Sequence, residues 1–137
     1  MVKKTLLHPQ EIETFYILPT IRRYFAIYLK ERGLMQKDIA ELLGINSATI
    51  SQYSSEKRGH KVDFNPEILE EIKKAAGKIK DTASYFRETQ NILRLLREQN
   101  IICDVHKKFS SVPKNCDPVK MGCNLGMAGE CKIVVRR

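Results

Sequence analysis

Three features of the sequence predict an all-α fold. Apolar residues recur at helical spacing through most of residues 9–102. Prolines and asparagines stand where such segments begin, and glycines where they end. The closing KIVVRR suits one short strand and is the exception. In chain order, a short helix begins at Pro9 and extends to Ile17. Pro19 opens a longer one, PTIRRYFAIYLKERG, with Ile21, Phe25, Tyr28 and Leu29 along one face and Gly33 placed to end it. QKDIAELL, stopped by Gly44, and SATISQYSS, following Asn46, are two short helices, and EKRGHKVDF is a polar loop. Asn65 and Pro66 supply an N-cap and a first-turn proline for PEILEEIKKAAGKIK. A further helix runs from about Thr82 through TASYFRETQNILRLLREQN. Beyond Ile102 the periodicity is lost, and Pro113, Pro118, Gly122, Gly126 and Gly129 predict an irregular segment.

At 137 residues with 42% hydrophobic content, the chain fits one folded domain, or a small domain with an appendage. No apolar run is long enough to cross a bilayer, since Pro19 cuts ILPTI and two arginines interrupt IRRYFAIYL. The N-terminus lacks the tripartite form of a signal peptide. A cytoplasmic protein with reduced thiols and no membrane partner is therefore expected. The net charge of +8 points to polyanionic partners. Residues 1–60 carry 9 basic and 6 acidic side chains and residues 101–137 carry 7 and 3, whereas residues 81–100 balance at 3 and 3.

QKDIAELLGINSATISQYSS carries the spacing of a helix-turn-helix. Ala40 is small enough for two helices to approach, Gly44 permits the tight turn, and Ile50 anchors the second helix from within. Ile39, Leu43, Ile45 and Tyr53 fill the remaining inner positions. Ser47, Ala48, Ser51 and Gln52 then face outward, small or hydrogen-bonding and uncharged, as a DNA major groove requires. Asn46 and Thr49 complete this candidate reading surface. Gln36 opens the first helix within reach of a phosphate, and Lys57, Arg58, His60 and Lys61 form a basic loop suited to the backbone. Arg22 and Arg23 are candidates for further phosphate contacts.

The stretch ILPTIRRYFAIYLKERGLMQKDIAELLGINSATISQYSSEKRG resembles the Cro/lambda-repressor-type (XRE-like) helix-turn-helix family. Within it, the sequence is similar to a group of archaeal transcriptional regulators with a cysteine-containing C-terminal region. Their order of a proline-arginine entry helix, a GLSQ-like turn, an IAELLGI segment and an ISQYLSGKRG-like helix is matched over about residues 9–61. The turn here reads GLMQ, and SEKRG stands where SGKRG is usual. The resemblance implies a sequence-specific regulator that binds double-stranded DNA as a dimer.

In the following helix Tyr85, Ile92, Leu95 and Leu96 form one apolar stripe, which Phe86 and Leu93 widen. It serves to pack on the chain's own core, to pair subunits into a homodimer on a two-fold-symmetric site, or both, with Phe86 and Leu93 inward and part of the stripe shared. All four cysteines follow, at Cys103, Cys116, Cys123 and Cys131, in a C-x12-C-x6-C-x7-C spacing. The last three sit among Asn, Gly, Lys and Asp rather than on an apolar face. Paired C-x2-C zinc knuckles are absent, while glycine-rich backbone beside thiolates suits an iron–sulfur cluster. The cluster is the first expectation, zinc the second and a thiol–disulfide switch the third. Cys103 is the fourth ligand or stays free, and His106 is expected as a solvated loop histidine.

The expected organisation is a helix-turn-helix DNA-binding domain at 1–80, a helix for dimerisation at 81–102 and an irregular cysteine-rich metal-binding loop at 103–137. The expected function is transcriptional regulation with the cluster as a redox or oxygen sensor. The alternative is a constitutive DNA-binding regulator with structural zinc or a thiol switch. Neither a nucleotide-binding glycine loop nor a nucleophile–base pair is evident, so no enzymatic activity and no small-molecule substrate are expected.

Overall fold

Ile12, Ile17, Ile21, Phe25 and Leu29 are fully sealed from solvent in the computed structural model, which describes residues 6–55, 59, 61–113, 115–118 and 120–123. Four of these side chains follow one another at four-residue steps, but Ile12 and Ile17 are five apart. In a straight α-helix that step turns a side chain about 140° out of line. The backbone absorbs it with a π turn. Helix α1 (Pro9–Ile12) passes through this turn (Glu13–Ile17) directly into α2 (Leu18–Glu31), and the Leu18 N–H donates to Glu13 O. Pro19, which lacks an N–H, therefore lies inside one continuous rod rather than opening a separate helix. The wider turn also brings Glu13 against Arg97, whose guanidinium donates to both carboxylate oxygens at 2.9 and 3.0 Å.

Helices α3 (Gln36–Leu43) and α4 (Ser47–Ser54) are joined by Gly44, held left-handed at φ 64° and ψ 32°. The Ile45 N–H returns to Ala40 O at 3.0 Å and closes α3. Helix α5 (Pro66–Ala76) starts as its sequence dictates, with Asn65 Oδ1 accepting the Ile68 N–H at 2.9 Å. It ends four residues earlier than the apolar pattern suggests, and Arg32 donates to its last carbonyl, Ala76 O, at 2.9 Å. Helix α6 (Thr82–Glu98) begins with a reciprocal cap between Asp81 and Ser84.

Two expectations are corrected. Residues 103–109 are not irregular: Asn100, at φ 58°, ends α6 and admits α7 (Ile101–Phe109), which carries Cys103 and His106. Ile102 and Val105 are buried and Ile101 and Phe109 half-buried, so a short apolar face is present after all. The His106 ring is not a solvated loop group but meets Leu7 O at 2.6 Å through Nε2. Ser110 Oγ accepts the Leu7 N–H at 2.8 Å, so the start of the chain is clasped to the end of α7.

The stripe on α6 is occupied by the chain itself. Tyr85, Ile92, Leu93 and Leu96 belong to the same buried cluster as Ile21 and Phe25, whereas Phe86 is 62% exposed. Packing on the chain's own core is thus the reading that these residues support. No strand occurs among the described residues, and KIVVRR lies outside them. No helix of the described residues is long and apolar enough to cross a membrane. Because Leu96 is completely enclosed, Leu96→Ala is expected to lower stability by about 2–5 kcal/mol. Urea denaturation of the variant measures this, and an unchanged midpoint would contradict the packing described.

Candidate nucleic-acid interface and cysteine cluster

The α3–α4 pair is fastened by one side chain. Gln36 Nε2 lies 2.9 Å from Ser47 O, Ser47 Oγ and Ser51 Oγ, so the first residue of α3 bridges to the first and second turns of α4. The expected phosphate ligand is in this structure also the clasp that orients α4. At the head of α4, Asn46 Oδ1 accepts the Thr49 N–H at 2.8 Å and the Thr49 hydroxyl at 2.9 Å. Asn46 is exposed but committed as the helix cap.

Thr49 departs from its expected place. It is buried, with its hydroxyl turned to the cap, and so belongs to the underside of α4 rather than to its reading face. Ser47, Ala48 and Ser51 are exposed as expected. Gln52 is half-buried, and its Oε1 is enclosed without a hydrogen-bond partner. The open face of α4 is consequently Ser47, Ala48 and Ser51, with Gln52 at its margin.

The arginines expected at phosphates are partly used within the fold. Arg22 Nε donates to the Tyr85 hydroxyl at 3.3 Å, and the Arg23 guanidinium lies 4.9 Å over the Tyr24 ring. Lys57, Arg58 and His60 lie outside the described residues; Gly59 lies within them. Its φ is +74°, and a Cβ there would come within 2.8 Å of Pro19 O and of Arg23 Cβ. Only glycine permits so close an approach to α2 at that dihedral. Lys61 is exposed, with Nζ 5.6 Å from the centre of the Tyr16 ring.

Cys103 is half-buried on α7, Cys116 is half-buried and Cys123 is exposed; all three are free thiols. The chain after α7 turns back on itself through the Met121 N–H to Asp117 O and the Cys123 N–H to Pro118 O, at 2.9 and 2.8 Å. Burial holds the Cys103 thiol above its ordinary pKa, opposed by the Lys107 charge, and the thiols of Cys116 and Cys123 are near enough to push it further up. Cys116 and Cys123 each bear on Cys103 in this way, while Cys131 lies outside the described residues. Among the described residues, however, no three His, Cys, Asp or Glu side chains are grouped so as to hold a metal ion. The donors suit a thiolate-bound metal in chemistry, but their arrangement is not a coordination sphere.

Comparison with known proteins gives a partial likeness. Over an alignment of 98 positions that covers 61% of this chain, the sequence is 35% identical to the large chain of carbamoyl phosphate synthase from Methanosarcina mazei. The chain spans only 9% of that enzyme's length. No family model matches the sequence, and no solved structure matches it.

Because the thiolate is the reactive form, the raised pKa of Cys103 slows its reaction near neutral pH. Iodoacetamide labelling followed by mass spectrometry should show Cys103 lagging behind exposed Cys123 at neutral pH and gaining on it as the pH rises. Equal rates at neutral pH would contradict the burial described.

Proposed function

We propose that this chain is a sequence-specific regulator that binds double-stranded DNA through α4. The observation that carries this reading is the exposed, uncharged face of Ser47, Ala48 and Ser51 on a short helix that Gln36 clasps to its neighbour. In this reading α3 and α4 form a helix-turn-helix, and α4 enters the major groove with its N-terminal turns against the base edges. Small side chains allow close approach, and serine hydroxyls exchange hydrogen bonds with base edges. Lys61 and the basic residues before it hold the phosphate backbone. Two copies of the chain bind a roughly two-fold-symmetric site. Their contact cannot use the enclosed stripe of α6, on which Phe86 is the large apolar side chain left exposed. No catalytic step belongs to this reading, and a match to 9% of a synthase subunit does not add one.

Ala48→Glu puts a negative charge on the open face of α4, where nothing in the core depends on the side chain. Its affinity for a duplex selected by the wild-type chain is expected to fall at least tenfold, since a carboxylate facing phosphates and base acceptors costs more than the 1–3 kcal/mol of one lost base contact. The thermal melting curve is expected to stay as in wild type. Unchanged affinity measured by fluorescence anisotropy would show that α4 is not the reader.

The second part of the proposal concerns the thiols. Cys103, Cys116 and Cys123, together with Cys131, would hold an iron–sulfur cluster, with zinc as the alternative; the gathering of three thiols beside α7 supports a thiolate site. Such a cluster supplies one-electron chemistry, and through it a dependence of DNA binding on oxygen or redox state. Protein prepared without oxygen is expected to contain iron and acid-labile sulfide, and Cys116→Ser and Cys123→Ser to lose both. Anaerobic protein with one zinc per chain and no iron would favour the alternative, and metal-free protein would remove the metal site.

A further inference from the structure

Lys61, which the reading above assigns to the phosphate backbone, stands on an unusual support. Gly59 is pressed onto Pro19 and Arg23 of α2, and Val62 and Phe64, just after Lys61, are buried. Its ammonium lies 5.6 Å from the centre of the Tyr16 ring. That ring is stacked on Phe109 of α7 at 4.3 Å with only 8° between planes, and Lys108 Nζ lies 5.4 Å from the Phe109 ring centre. Two stacked rings with a lysine over each thus join the loop after α4, the π turn and α7. The π turn is essential here, because its extra residue decides which way Tyr16 faces. The segment 61–65 and α7 also enclose a cleft of about 290 Å³, lined in part by Lys61, Asp63, Asp104 and Lys108.

We infer that Tyr16 and Phe109 are positioning residues for a phosphate contact made by Lys61, so that α7 sets the grip on the backbone through the stacked rings. This rests on the DNA-binding function proposed above. A free lysine side chain loses rotamer freedom when it settles on a phosphate. One already held over an aromatic face is placed before the DNA arrives, and the ring quadrupole offsets part of that cost. Phe109 fixes the Tyr16 ring by stacking, and Tyr16 fixes the ammonium. Removal of Phe109 leaves the charge of Lys61 in place but scatters its position.

The test uses the full chain and a duplex selected by it from a random library, with affinity measured across a range of salt concentrations. Lys61→Ala and Phe109→Ala are each expected to weaken binding about two- to five-fold, the range of an exposed cation–π contact. Each should also flatten the salt dependence by up to about 0.9 in slope, as for one phosphate contact. The double variant should lose no more than Lys61→Ala alone, and Phe109→Tyr, which keeps the stack, should bind as wild type does. Phe109→Leu keeps apolar bulk without a ring and should behave like Phe109→Ala in DNA binding while melting close to wild type, which separates positioning from folding. Wild-type affinity and salt slope in Phe109→Leu, or additive losses in the double variant, would overturn the inference and leave DNA reading by α4 intact. Failure of the wild-type chain to select any duplex would overturn both.

Discussion

The five-residue step between Ile12 and Ile17 governs the rest of the molecule. A chain that must bury both of these residues on the face shared by Ile21, Phe25 and Leu29 cannot do so with unbroken α geometry. The π turn resolves the mismatch, and Pro19, unable to supply a backbone donor, is accommodated by the same widening. From that one adjustment follow the Glu13–Arg97 pair, the stacking of Tyr16 on Phe109 and the seat for Gly59 beside Pro19. The rod from Pro9 to Glu31 is therefore both the centre of the core and the ruler against which the other helices are placed. Helices α3, α4 and α5 pack along its second half, and α7 packs on its first.

Much of this was legible in the sequence. Asn46, Asn65 and Gly44 mark helix ends by local chemistry, and each works in the structure as that chemistry requires. The apolar face of α2 is set by simple periodicity. What escaped was of a different kind. Pro19 reads as a helix start because a proline usually is one, and only the five-residue gap in the isoleucine pattern hints at a π turn. Helix α7 was hidden by the prolines and glycines that follow it, although Ile101, Ile102, Val105 and Phe109 share a helical face and Asn100 is a residue that tolerates the left-handed break.

The candidate site shows the same division. Exposure of Ser47, Ala48 and Ser51 follows from the spacing that buries Ile50 and Tyr53. That Gln36 spends its amide on both serines, or that Thr49 turns to Asn46, depends on tertiary distances that no periodicity contains. The apolar stripe of α6 illustrates the limit most clearly. Its residues are as hydrophobic as a subunit contact would need, yet the pattern alone does not say whether the partner is another copy or the same chain. Here the partner is the same chain: α6 packs on α3, α5 and α7, and Tyr85 meets the Phe25 ring of α2 edge-on at 6.2 Å.

The clasp between Leu7 and α7 has a consequence for how the chain reaches this state. Its two hydrogen bonds join residues 103 and 99 positions apart, so the first helix finds its neighbour only after nearly the whole described chain exists. During synthesis α1 emerges before the α7 on which it packs, so that contact becomes available only after α2 to α6 have been made. Closing so long a loop carries an entropic cost that grows only logarithmically with length, but it delays the reward for α1 until late. The half of the rod beyond the π turn can find partners early; the half before it is completed by α7. The order of synthesis and the order of consolidation thus run in opposite directions at the two ends of a single helix.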